Sequence, residues 1–188
     1  MADGAVQLRA KVAAPHNPAY TPTMVLFLLL CRFRSRTDIA INQYHMAEEN
    51  DKWLTVPTTD DEGNTIIVTG LTDVEKFRSK PRYSIRINIT LPYSPAGPLG
   101  FPDEETAATL EEVTEAFQAN LKGKNTAVLT GIYTGAGQRD WVFYTFSTDV
   151  FNGFLNRALA QLPLLPLEIS AENDPDWEEY DEMMAVFS

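Results

Sequence analysis

Past Met46 the sequence contains neither histidine nor cysteine; His16, His45 and Cys31 all lie upstream. Residues 46–188 therefore lack imidazole bases, thiolate nucleophiles and the common zinc ligand sets. Carboxylates, lysine, tyrosine, serine and threonine are left for any chemistry. No Walker, nucleophile-elbow or dinucleotide-fingerprint pattern occurs, and the Gly135-Ala136-Gly137 triplet sits in a turn instead of ahead of a helix. One group of residues could recognise a ligand or partner: Arg86, with Glu168 as its ion partner, among Trp141, Phe143 and Tyr144. A guanidinium paired with a carboxylate beside aromatic rings suits binding. No catalytic residue, metal ligand or cofactor is assigned. The acidic run from Asp174 to Glu182 lacks the glycine and spacing of a calcium loop and reads as a helix N-terminus favoured by the helix dipole. Arg78, Lys80, Arg82 and Arg86 form a basic island that reads as solvated charge leading into a strand.

The elements that must position these residues follow from periodicity. Thr126–Ser147 reads as a β-hairpin, two β-branched and aromatic runs around the glycine-bearing turn. Upstream, Trp53–Pro57 and Thr65–Thr69 flank the acidic turn DDEGN as a second hairpin. Thr72 and Glu75 have capping-box spacing for a short helix to Ser79, and Pro81 ends it. In Tyr83–Tyr93, Tyr83, Ile85, Ile87, Ile89 and Leu91 alternate with Ser84, Arg86, Asn88 and Thr90, which predicts a strand with one face in the core. Leu110, Val113, Phe117 and Leu121 recur at helical spacing over 103–121, with Gly123 as the stop. Ser147 or Thr148 caps a helix to about Leu162, within which Gly153 implies close packing. Leu165, Leu167 and Ile169 alternate as a last strand, and Asp174 with Pro175 opens a terminal helix.

The order from Tyr83 on predicts an α+β fold: a ferredoxin-like βαββαβ sandwich with an N-terminal β-hairpin and a C-terminal helix. Two helices cover one sheet face. Over Asp140–Phe146 both alternating sets are large, Trp141 and Phe143 against Val142, Tyr144 and Phe146, so aromatics must also occupy the other face. There they are covered by the N-terminal hairpin or by the helix bearing Trp177 and Tyr180, or they form an interface with a protein partner or a second copy in a homodimer.

Charge and hydropathy narrow the partners. The chain carries 15 Lys and Arg against 26 Asp and Glu, a net charge of −11, which disfavours nucleic acid and anionic membrane. Residues 1–45 hold five basic and two acidic side chains, a net of +3, which leaves −14 on the rest. That break, together with Pro15, Pro18 and Pro22, marks 1–45 as a disordered extension or as sequence upstream of a start at Met46; 46–188 reads as one α+β domain. The longest apolar run, Met24–Cys31, is far short of the roughly 20 residues that span a bilayer. The absence of disulfide pairs and of a cleavable leader points to the cytoplasm.

The Trp53 opening, PRYSIRI, PDEET, VLTGIYTGAGQRDWVFY and ENDPDWEEYDEM together resemble the bacterial domain-of-unknown-function family 695 over about residues 50–184. Arg139, Phe143-Tyr144 and Asp174-Pro175-x-Trp177-x-x-Tyr180 carry the resemblance. It implies a small bacterial cytosolic protein and brings no established activity. The expectation is a non-enzymatic binding or regulatory module acting through the open sheet face or the acidic terminal helix. A small-ligand binder or enzyme with a pocket at Arg86, Tyr144 and Glu168 is the alternative, and an acidic protein that neutralises a toxin or nuclease is a third reading.

Overall fold

The computed structural model describes residues 53–188. The expected extension at 1–45, the start at Met46 and the residues His16, His45 and Cys31 lie outside them. Six strands and four helices follow one another as β1 (Trp53–Thr59), β2 (Thr65–Leu71), α1 (Glu75–Arg78), β3 (Ile85–Pro92), α2 (Glu104–Leu121), β4 (Ala127–Gly135), β5 (Gln138–Thr145), α3 (Thr148–Ala158), β6 (Glu168–Asn173) and α4 (Glu178–Ala185). The strands form one sheet in the order β1-β2-β4-β5-β3-β6, with every neighbouring pair antiparallel. This is an α+β architecture, and the N-terminal hairpin extends the sheet through β2 against β4.

Local chemistry accounts for the element ends. In the β4–β5 turn Ala136 and Gly137 both take positive φ, 50° and 81°, the hand that matches strand twist in a two-residue hairpin loop. The Asp103 side chain accepts from the Thr106 N–H at 2.8 Å and so caps α2. Ser147 does the same for α3 through the Val150 N–H, and Gly123 leaves α2 with φ 71°. In the β1–β2 turn the Asp60 carboxylate accepts from the backbone N–H groups of Glu62 and Asn64.

Both sheet faces are packed. On one, Ile87, Ile89, Leu91, Trp141 and Phe143 meet Leu110, Val113 and Phe117 of α2 and Phe151, Phe154 and Leu155 of α3. Phe117 lies edge-on to Trp141 and Phe143 with ring centroids 5.5 and 5.4 Å apart. On the other face Val68, Val128, Val142, Tyr144 and Tyr83 meet Trp177, Tyr180 and Met183 of the α4 region. Each large side chain so buried contributes about 1.5–3 kcal/mol of transfer free energy.

Several expectations need correction. α1 spans only Glu75–Arg78 and the residue at its N-cap position is Val74, which makes no side-chain cap. Tyr83 does not join the isoleucine face: it precedes the ladder, where strand parity no longer applies, and its ring packs on the α4 side against Phe77 and Phe146. The last strand begins at Glu168, after Leu165 and Leu167. α4 begins at Glu178, because Trp177 takes a left-handed φ of 62° and holds Pro175 outside the helix.

Gly153 is not tightly packed either. A Cβ there would meet only the Arg157 Nη1, at an ordinary 3.5 Å. With no left-handed backbone to protect, Gly153→Ala is expected to raise stability by up to about 1 kcal/mol, the intrinsic helix advantage of alanine. A urea midpoint that stays put or falls would show that the site resists a methyl group.

Candidate functional site

Antiparallel register fixes which side chains share the α4 face of the sheet. Arg86 lies opposite Tyr144 on β5 and Glu172 on β6; Asn88 lies opposite Val142 and Ser170; Thr90 lies opposite Asp140 and Glu168. α4 packs on β2 and β4, and the part of the face beyond it stays open as a pocket of about 380 Å³. Asp60, Arg86, Asn88, Tyr133, Asp140, Ser170, Glu172 and Glu179 are among its lining residues.

Arg86 organises the pocket. One guanidinium nitrogen donates to Glu179 Oε2 at 2.8 Å, and the other donates to Glu172. Tyr133 donates its hydroxyl to the second Glu179 oxygen at 3.0 Å, and burial, reinforced by the Glu179 charge, pushes the Tyr133 pKa well above the usual tyrosine value. Across the floor Asp140 accepts from Thr90, Asn88 and Gln138. Asn88, one of the lining residues, has a buried Oδ1 with no hydrogen-bond partner. The lining carboxylates Asp60, Asp140, Glu172 and Glu179 face the single guanidinium of Arg86, so the concavity carries net negative charge. No group of three or more potential metal ligands exists among the described residues.

The sequence-derived site is only partly assembled. Arg86 is in place, but its acidic partners are Glu172 and Glu179. Glu168 sits opposite Thr90, two steps along the same face from Glu172, and is exposed. The expected open patch of aromatics is absent: Trp141, Phe143 and Tyr144 are all fully buried, the first two under α2 and α3 and the third under the α4 region. Tyr144 stacks on Trp177 with ring centroids 3.9 Å apart and planes 7° from parallel. Of the outcomes open for this face, cover by the terminal helix is the one observed. Asp140, Tyr133, Glu172 and Glu179 were missed by the sequence reading. Asp140 could be found by continuing the parity of Tyr144 and Val142 along β5, whereas the role of Glu179 depends on where α4 crosses the sheet.

α4 is held as a wall of this site. Asp174 accepts from the Tyr144 hydroxyl and from the N–H groups of Glu178 and Glu179, at 2.9 and 3.3 Å for the latter two. The Trp177 indole donates to the Tyr83 carbonyl at 2.8 Å and the Tyr180 hydroxyl to the Leu71 carbonyl at 3.0 Å. Arg78 forms a two-pronged pair with Asp181. Gly70 and Gly131, cross-strand neighbours, give the helix its seat: a Cβ on Gly131 would come within 2.6 Å of Met183 Sδ, and one on Gly70 within 2.8 Å of the Phe187 ring.

Burial is the largest influence on Asp174 and would raise its pKa, but the hydrogen bonds from Tyr144, Glu178 and Glu179 together with Arg86 outweigh it, and the net direction is downward. A depressed folded-state pKa means stability that is present above the ordinary carboxylate range and lost as the pH falls through it. Asp174→Asn is therefore expected to flatten the acid limb of the stability–pH curve; an unchanged limb would assign acid sensitivity to other carboxylates.

The model of a family of unknown function, DUF695, matches residues 51–184. The chain belongs to that family. No curated protein and no solved structure matched. The DUF695 match spans every element that builds the pocket, from Asp60 in the first turn to Glu179 in α4. Among the described residues, no helix of this DUF695 chain is long and apolar enough to cross a membrane.

Proposed function

We propose that this protein is a non-enzymatic binding module of the bacterial cytoplasm whose site is the pocket around Arg86, walled by α4. The observation that carries this reading is a concave, net-negative site lined by four carboxylates around one guanidinium and by Asn88, whose buried Oδ1 has no hydrogen-bond partner. The core order β4-β5-β3-β6, with α2 and α3 on one face, supports reading the fold as a ferredoxin-like sandwich extended by the β1–β2 hairpin. Such folds host many functions, so the site and not the fold is the argument. With Tyr144 covered and Glu168 outside the pocket lining, the alternative of a small ligand held at Arg86 uses Asp140, Glu172 and Glu179 instead.

Asp140→Asn tests this reading. It removes a charge from the floor while keeping the shape, and is expected to weaken binding at least about tenfold, in line with about 1.5–3 kcal/mol for a charge-assisted hydrogen bond. Native mass spectrometry of the full chain from its natural host, beside the variant with an unchanged melting curve, reads the loss of the bound species. Equal occupancy in both proteins would move the site elsewhere.

A further inference from the structure

β6 is a sheet edge: it pairs with β3, and no described residue pairs with its other side. Among the described residues its outer N–H and C=O groups have no partner strand, the arrangement that an added strand completes. Glu168, Ser170 and Glu172 of β6 are exposed and share the α4 face of the sheet, and Ser170 and Glu172 also line the pocket. Glu172, with its side chain 59% exposed, is the point where edge and pocket meet.

From this juxtaposition we infer that the ligand of the pocket is an extended, basic segment of a partner protein, added to the sheet along β6 with a Lys or Arg side chain entering the pocket past Glu172. This inference rests on the pocket being the binding site. Main-chain pairing supplies affinity, and the alternate side chains facing Glu168, Ser170 and Glu172 supply specificity. A lysine or arginine opposite Ser170 reaches both flanking glutamates as diagonal neighbours. Charge selects against the other occupants. A second copy paired antiparallel about Ser170 would set Glu168 against Glu172 twice, and a parallel copy would set each glutamate beside its own equivalent, both destabilising. An anionic segment would enter a pocket where Arg86 is already engaged by Glu172 and Glu179.

The test is a titration of the isotope-labelled full chain with an end-capped peptide alternating Lys and Thr, followed by backbone amide shifts. The expected result is saturable shifts in β6 and at Arg86, Asn88 and Asp140, which weaken with added salt. They should fall at least about tenfold when Glu replaces Lys in the peptide, and likewise when alternate peptide nitrogens are methylated. Glu168→Lys, which alters neither the pocket lining nor any pairing of Arg86, should weaken the Lys peptide as well. Equal binding of the N-methylated peptide, or the same shifts with spermidine alone, would overturn strand addition while leaving the pocket as a cation site. Equal binding of the Glu peptide would overturn the basic character of the partner. No shift with any probe would overturn the inference outright, whereas failure of the pocket reading itself would appear as unchanged native occupancy in Asp140→Asn.

Discussion

Trp177→Ala is expected to lower stability by about 3–5 kcal/mol, the range for deleting a large buried aromatic side chain. The indole is 2% exposed, stacks on Tyr144, meets Tyr180 edge-on and donates to the Tyr83 carbonyl, so truncation removes packing from two rings and leaves a buried carbonyl unpaired. It also relieves little strain, because alanine in the left-handed region pays a similar backbone penalty of about 1–2 kcal/mol. The loss falls first on α4, whose N-terminus depends on the Asp174–Trp177 turn. Urea unfolding should show the drop in midpoint, and hydrogen exchange should show α4 opening ahead of the sheet. Trp177→Phe retains a ring on Tyr144 but not the N–H, and is expected to lose less. A Trp177→Ala protein with unaltered midpoint and protected α4 amides would mean that Met183 and Tyr180 hold the helix unaided.

Arg139→Ala should be the second large effect, about 2–4 kcal/mol, and Arg139→Met distinctly milder. The side chain is 3% exposed on the α2 face of β5. Its guanidinium donates to Thr134 Oγ1 at 2.8 Å and reaches Thr114 Oγ1 and Glu111 Oε2 at 3.4 Å. Glu111 is 45% exposed, so once the arginine is gone its carboxylate turns to water and no buried charge is stranded. The larger part of the loss is the cavity left by the aliphatic stem, which methionine refills. Denaturation midpoints of the two variants separate these contributions; equal losses would show that the guanidinium hydrogen bonds dominate.

The same distinction between local and distant information explains how much of the molecule could be read from its residues. The Ile87–Ile89–Leu91 alternation, the Gly135–Gly137 turn and the cap at Ser147 depend on residues within a few positions of one another, and each appears where spacing puts it. Two large alternating sets in β5 also place large apolar side chains on both faces of the sheet, and both faces are packed. The site was less legible. Which glutamate meets Arg86 depends on the register between β3 and β6, whose paired residues lie 78 to 88 positions apart, and parity alone admits Glu168 and Glu172 equally. Trp177 in a left-handed conformation follows no local preference; tertiary packing imposes it, and it shifts the start of α4 enough to bring Glu179 to Arg86. Gly153 misleads for the opposite reason, since a helical glycine can lack any packing cause.

The position of α4 in the chain has a consequence for the order in which the protein is made. Every strand is synthesised before Trp177, yet the contacts that seat the terminal helix reach back to Leu71, Arg78, Tyr83 and Arg86. While translation is incomplete, the Tyr144 ring and the Gly70–Gly131 floor have no cover, and Arg86 lacks one of its two glutamates. The α4 wall of the pocket is completed only when the segment from Asp174 to Met183 has emerged. A nascent chain that has not yet emerged through Met183 thus presents an uncovered, aggregation-prone apolar sheet face to chaperones and proteases.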